Sequence, residues 1–136
     1  MKQEPEPTRF DPAELVEVET VEQIESVDPE SCGVFVRRLD DTKLAAIAVH
    51  LATIRHLITD GSTTVTDAGL KTLAQLEQLE RLDLEWSLIS DQGLESIGAV
   101  KTLRWVDVGF CRGVTEDGVA RLRESRPDLE VVFAQV

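Results

Sequence analysis

Apolar and polar positions along the chain follow a pattern that returns about every 24 residues. The stretch "LERLDL" at 79–84 ends in strict alternation, as a half-buried strand does. It predicts Leu82 and Leu84 facing inward, with Arg81, Asp83 and Glu85 facing outward. "LRWVDV" at 103–108 repeats it, and "IRHLIT" at 54–59 and "LEVVFA" at 129–134 are weaker copies. A second motif keeps step: "VTDAGL" at 65–70, "ISDQGL" at 89–94 and "VTEDGV" at 114–119. Thr66–Asp67 and Ser90–Asp91 supply a helix N-cap and a first-turn acid. After them the ridges Leu70, Leu73, Leu76 and Leu94, Ile97, Val100, then Val119 and Leu122, predict helical or 3₁₀ segments.

A strand and a helix this short cannot bury their faces alone. Two motifs holding one period across some eighty residues therefore predict a stack of repeated strand–helix units. The stack has a parallel sheet on one face, helices on the other and a continuous core. The glycine in each "VTDAGL" copy costs helix stability, about 1 kcal/mol relative to alanine. Its recurrence points to close packing between neighbouring helices.

The pattern resembles leucine-rich repeats of the cysteine-containing, F-box-associated type. "LRWVDVGFCRGVTEDGVARLRESRPDL" at 103–129 carries the likeness best, with Cys111 at that family's first cysteine position. Ser87 and Ser62 take that place in the preceding units. Leu76, Val100 and Ser125 stand where the second cysteine would be. The likeness covers residues 54–134, and "DDTKLAAIAVHL" suggests a degenerate first unit in 33–53. It implies an α/β leucine-rich-repeat solenoid, a short horseshoe arc with its parallel sheet on the concave face and helices on the convex face. In that family such repeats select substrates for ubiquitin ligases, so a substrate-recognition adaptor is one implied role.

Composition divides the chain. Residues 1–31 hold four of the five prolines, ten acids and two bases; residues 32–136 hold sixteen acids and twelve bases. The leader is thus read as acidic and mostly disordered, with residues 1–12 unstructured and 14–27 able to dock as a short strand or helix that caps the repeats. Residues 32–136 are the repeat domain, of three to four units. A net charge of −12 argues against binding nucleic acid or an anionic membrane surface. No stretch is apolar enough to span a bilayer, and two cysteines are too few for a secreted disulfide framework, so the expected compartment is the cytoplasm.

Candidate chemistry is sparse. His50, His56, Cys32 and Cys111 show no zinc spacing, and the glycines form no phosphate-binding loop. Serine in place of Cys111 in two units favours a side chain that bonds backbone in the turn. No metal, cofactor or catalytic residue is expected, and the chain is read as non-enzymatic. The outward strand positions are richer. One ladder reads His56, Arg81, Trp105, Val131; the next Ile58, Asp83, Asp107, Phe133; the third Asp60, Glu85, Gly109, Gln135. Trp86 and Phe110 lie one residue further on. Aromatics and arginine supply most binding hot spots, and Arg81 beside Trp105 predicts a cation–π pair. Asp83 beside Asp107 places like charges together, a cost a basic partner would relieve. The expected function is binding of a protein or peptide, with basic groups, through His56, Arg81, Asp83, Glu85, Trp86, Trp105, Asp107 and Phe110. The competing expectation is an assembly subunit whose stack another chain completes, because the last strand leaves an open edge. The sequence leaves the oligomeric state open.

Overall fold

The computed structural model describes residues 9–135. Among them runs a six-stranded, all-parallel sheet whose strands lie side by side in chain order. The strands are β1 (Val16–Val18), β2 (Gly33–Val36), β3 (His56–Thr59), β4 (Arg81–Asp83), β5 (Trp105–Asp107) and β6 (Glu130–Val132). Helices α1 (Val21–Ser26), α2 (Asp41–His50), α3 (Asp67–Leu70), α4 (Asp91–Gly98) and α5 (Glu116–Ser125) connect them. Each helix packs on the next in the same order. A 3₁₀ stretch, Lys71–Gln75, continues α3.

One sheet face meets the helices. Val34, Val36, Leu57, Leu82, Leu84, Val106 and Val108 point there and are fully buried. The helical ridges Leu70, Leu73, Leu76 and Leu94, Ile97, Val100 close over them. The other face stays partly open, so alternation along each strand separates core from candidate site.

The glycine in each helical motif has a specific cause. The Asp41 carboxylate accepts hydrogen bonds from the Thr66 N–H (2.9 Å) and hydroxyl (2.6 Å). Asp67 does the same for Ser90, at 2.8 and 2.5 Å. Asp91 does it for Thr115, at 2.8 and 2.6 Å. Every link joins the first turn of one helix to the N-cap of the next. A Cβ on Gly69, Gly93 or Gly118 would run into the Asp41, Asp67 or Asp91 carboxylate respectively. The close packing inferred from sequence is therefore to the neighbour's aspartate side chain.

The leader is partly built into the sheet. Residues 16–18 form β1, and α1 carries a capping box in which Thr20 and Gln23 bond each other's backbone. Residues 9–12, expected to be unstructured, lead into a 3₁₀ turn at Pro12–Glu14 capped by Asp11. The rest of the segment expected to be unstructured, residues 1–8, lies outside the described residues.

The final strand corrects the expected ladders. Trp105 pairs with Glu130, Val106 with Val131 and Asp107 with Val132. Val131 therefore points into the core, and Phe133 packs against the core too. Leu129, Val131 and Phe133 alternate with Glu130 and Val132, so burying the larger apolar set shifts the strand one residue from the expected alignment. The ladders end in Glu130 and Val132.

Candidate functional site

The outward face is positioned by register. His56 pairs with Arg81 and Arg81 with Trp105, while Asp83 pairs with Asp107. These pairings bring the expected residues into two neighbouring groups, one at the strand starts and one at their ends.

At the strand starts, the Arg81 guanidinium lies 4.3 Å from the Trp105 ring centroid, the predicted cation–π pair. The same guanidinium lies 4.4 Å from the Phe10 ring centroid. Phe10 also meets the His56 ring edge-on, with centroids 5.2 Å apart and planes at 84°. His56, expected on an open face, is only 3% exposed. Its Nδ1 lies 3.6 Å from the Cys32 Sγ. Burial lowers the Arg81 pKa and raises that of Cys32, which weakens any case for a reactive thiolate. Phe10 was not among the expected site residues. A lone aromatic in an acidic, proline-rich segment was the available signal.

At the strand ends, Asp83, Glu85 and Asp107 bring carboxylate oxygens within 4.8 Å of one another. Asp83 is 8% exposed and accepts the Glu85 N–H at 3.0 Å. Asp107 accepts the Gly109 N–H at 2.8 Å. Both aspartates thus shape their own loops as well as lining the face. Gly109 has no side chain, and Glu85 leans into that space beside Asp107. The Glu85 and Asp107 carboxyls also act on each other, which adds to the rise of Glu85 and partly offsets that of Asp107. Desolvation raises all three acids, and Asp83 is pushed up to about 6. Hard oxygens in this arrangement suit a Ca²⁺-like ion or the ammonium or guanidinium of a basic side chain. Ca²⁺ takes about six to eight ligands, so three carboxylates would leave the shell incomplete.

Beside the acids, Trp86 and Phe110 stack with centroids 4.7 Å apart and planes 17° from parallel. Both adopt left-handed backbone, φ 63° and 57°. Gly61 holds the equivalent place in the preceding unit at φ 84°, and Trp86 lies over it. Such a conformation suits glycine and strains a bulky residue. Trp86 is nevertheless 47% exposed, so core packing does not account for an indole at that position.

Cys111 behaves as expected for a turn residue. Its buried thiol bonds the Leu84 carbonyl and the Ser87 hydroxyl, each at 3.2 Å. Two units before Cys111, the buried hydroxyl belongs to Thr63, which bonds Thr59, and not to Ser62. Among the described residues no helix is long and apolar enough to cross a membrane. The sequence matches no protein-family model and no curated protein.

Proposed function

We propose that the chain is a short leucine-rich-repeat solenoid whose open sheet face binds a protein or peptide carrying basic groups, without catalysis. The repeat reading is supported by strands in chain order, β2 to β6 starting at Gly33, His56, Arg81, Trp105 and Glu130, and by the Asp–Thr/Ser links between successive helices from α2 to α5. A cytoplasmic location belongs to the same reading and agrees with both cysteines being free.

The observation that carries the binding reading is the Trp86–Phe110 stack. Two large aromatics sit in strained backbone, partly in solvent, where the preceding unit has glycine. The same left-handed turn recurs at Arg38, φ 52°, so the turn belongs to the repeat, and the distinguishing feature is the exposed aromatic pair it carries. The adjoining carboxylates add charge complementarity for lysine or arginine. An apolar or aromatic side chain of the ligand would lie on the stack while its basic group meets Glu85 and Asp107.

Selection of a displayed random-peptide library on the immobilised protein tests this. The expected winners pair a basic residue with an apolar one. They lose binding by tenfold or more on a double variant, Trp86→Ala with Glu85→Gln, equivalent to about 1.4 kcal/mol or more at a hot spot. Equal enrichment on that variant would sink the reading. Asp83 is left intact in this test because its burial makes a charge reversal there a folding defect.

Completion of the stack by another chain has one observation in its favour. β6 ends the sheet, and Val132 on its outward side is 38% exposed. A concentration-dependent mass in sedimentation would support that reading, and a monomer at high concentration would remove it.

A further inference from the structure

The N-terminal segment crosses the very face assigned to binding. Leu15 lies against Gly33 at the start of β2, where a Cβ would collide with its Cδ2. Phe10 then covers His56 on β3 and the Arg81 guanidinium on β4. The Arg81 guanidinium thus contacts two rings, Phe10 and Trp105. His56, Arg81 and Trp105 come from three adjacent strands in register, so the sheet itself builds the place where the phenyl ring rests.

Two features distinguish this contact from ordinary core packing. The segment between Phe10 and Leu15 is a short 3₁₀ turn with no buried residue. Its turn hydrogen bonds are internal: Glu14 N–H to the Asp11 carbonyl and Leu15 N–H to the Pro12 carbonyl. Phe10 itself remains half-buried. Stacked guanidinium–aromatic contacts are favourable and individually weak. Tethering makes such a weak contact persist, because the ring is held at high effective concentration.

We propose that His56, Arg81 and Trp105 form a docking site for an aromatic side chain on an extended segment, and that Phe10 is its displaceable occupant in cis. A partner that uses this half of the face brings an aromatic residue and removes the leader from it. Displacement by a partner rests on the binding reading above; the occupancy by Phe10 does not. Apparent affinity for any competing aromatic is reduced by the fraction of time the site is empty.

The test uses the full chain and a synthetic peptide with the sequence of residues Arg9–Leu15, ends blocked, followed by NMR. The readouts are the Arg81 Nε–H and the Trp105 indole N–H. Phe10→Ala should move both signals while the fold, judged by the remaining amides, persists. Added to that variant, the peptide should return both signals toward their wild-type positions, with saturation in the millimolar range. Wild type should bind the peptide about tenfold more weakly or worse. A peptide with alanine in place of phenylalanine should do nothing. Arg81→Lys, combined with Phe10→Ala, keeps the charge and loses the planar stack, so it should weaken peptide binding at least about threefold. The proposal is overturned if Phe10→Ala leaves both signals in place, if millimolar peptide fails to move them, or if wild type and variant bind the peptide equally. Chain association that grows on peptide removal would assign the site to the leader of a second copy instead. If the library selection fails and this titration succeeds, the binding reading falls and the occupancy stands. If library peptides bind wild type and Phe10→Ala equally, the binding reading stands and displacement of Phe10 by a partner falls.

Discussion

Gly93 stands in a helix where alanine would ordinarily be better by about 1 kcal/mol. Its Cβ would instead meet Asp67, whose carboxylate is committed to the Ser90 N–H and hydroxyl. Gly93→Ala should therefore destabilise the protein by about 2–3 kcal/mol, the range of a core overpacking change. Asp67→Ala alone should also cost stability, since it strips two charge-assisted hydrogen bonds. In the Asp67→Ala background the glycine substitution should cost much less, the remaining close contact of the added methyl being the Leu70 Cδ1 at 2.9 Å. A double-mutant cycle by urea denaturation reads this coupling directly. Additive costs would mean that Asp67 is not what the added methyl meets. At this scale the sequence was informative: the repeated Thr–Asp and glycine were visible, and so was the need for close packing. The partner atom was not visible, because the contact runs between units about 24 residues apart and requires knowing which helix end faces which.

Among the elements, strands with a single dominant alternation were legible and the last one was not. β4 and β5, each with the residue that follows it, carry Leu82, Leu84 and Val106, Val108 at alternate positions with charges between, so their outward residues followed directly. β6 is apolar on both sides, and a one-residue slip exchanges its faces at little cost in pattern. The pairing of Val131 with Val106 decides it. Val131→Lys should thus cost about 3 kcal/mol or more, a charge forced into the core. Val132→Lys, at an exposed edge position, should lie within about 0.5 kcal/mol of wild type. Chemical denaturation of the two variants separates the registers, and the opposite ranking would restore the alignment read from sequence. Arg126 shows a related limit. Its guanidinium is buried and bonds the carbonyls of Gly98, Val100 and Leu103, closing the end of α4 and the turn after it. Nothing in the local pattern marks an arginine for that task, since its partners lie in the preceding unit.

For the whole molecule, pH brings two groups of carboxyls into opposition. Asp83 is raised from 3.8 to about 6 by desolvation, and Glu85 and Asp107 are raised as well. Between roughly pH 4 and 6 the native state holds protons that the unfolded chain has released, so stability falls as pH rises through that window. For Asp83 alone the loss amounts to about 3 kcal/mol at most. Asp128 works the other way. Arg126 bonds it and holds its pKa at about 2, so its contribution is present above pH 4 and is lost as pH falls toward 2. Stability should therefore peak in mild acid, near pH 4 to 5, and decline toward pH 7.5. Asp83→Asn keeps an acceptor for the Glu85 N–H and removes the charge. It should raise the melting temperature at pH 7.5 by roughly 5 °C or more and flatten the fall between pH 5 and 7.5. Repulsion from the overall charge of −12 acts in the same direction in both proteins, so the difference between them isolates the buried carboxyl. A basic ligand seated on the same carboxyls would reverse the sign of their effect. It would pull their pKa values down and release protons on binding, so its affinity should rise from pH 5 to pH 7 while the free protein loses stability. Calorimetric titration of a selected peptide in buffers of different ionisation enthalpy measures that proton release. Zero protons released at pH 6 would place the ligand away from Asp83, Glu85 and Asp107.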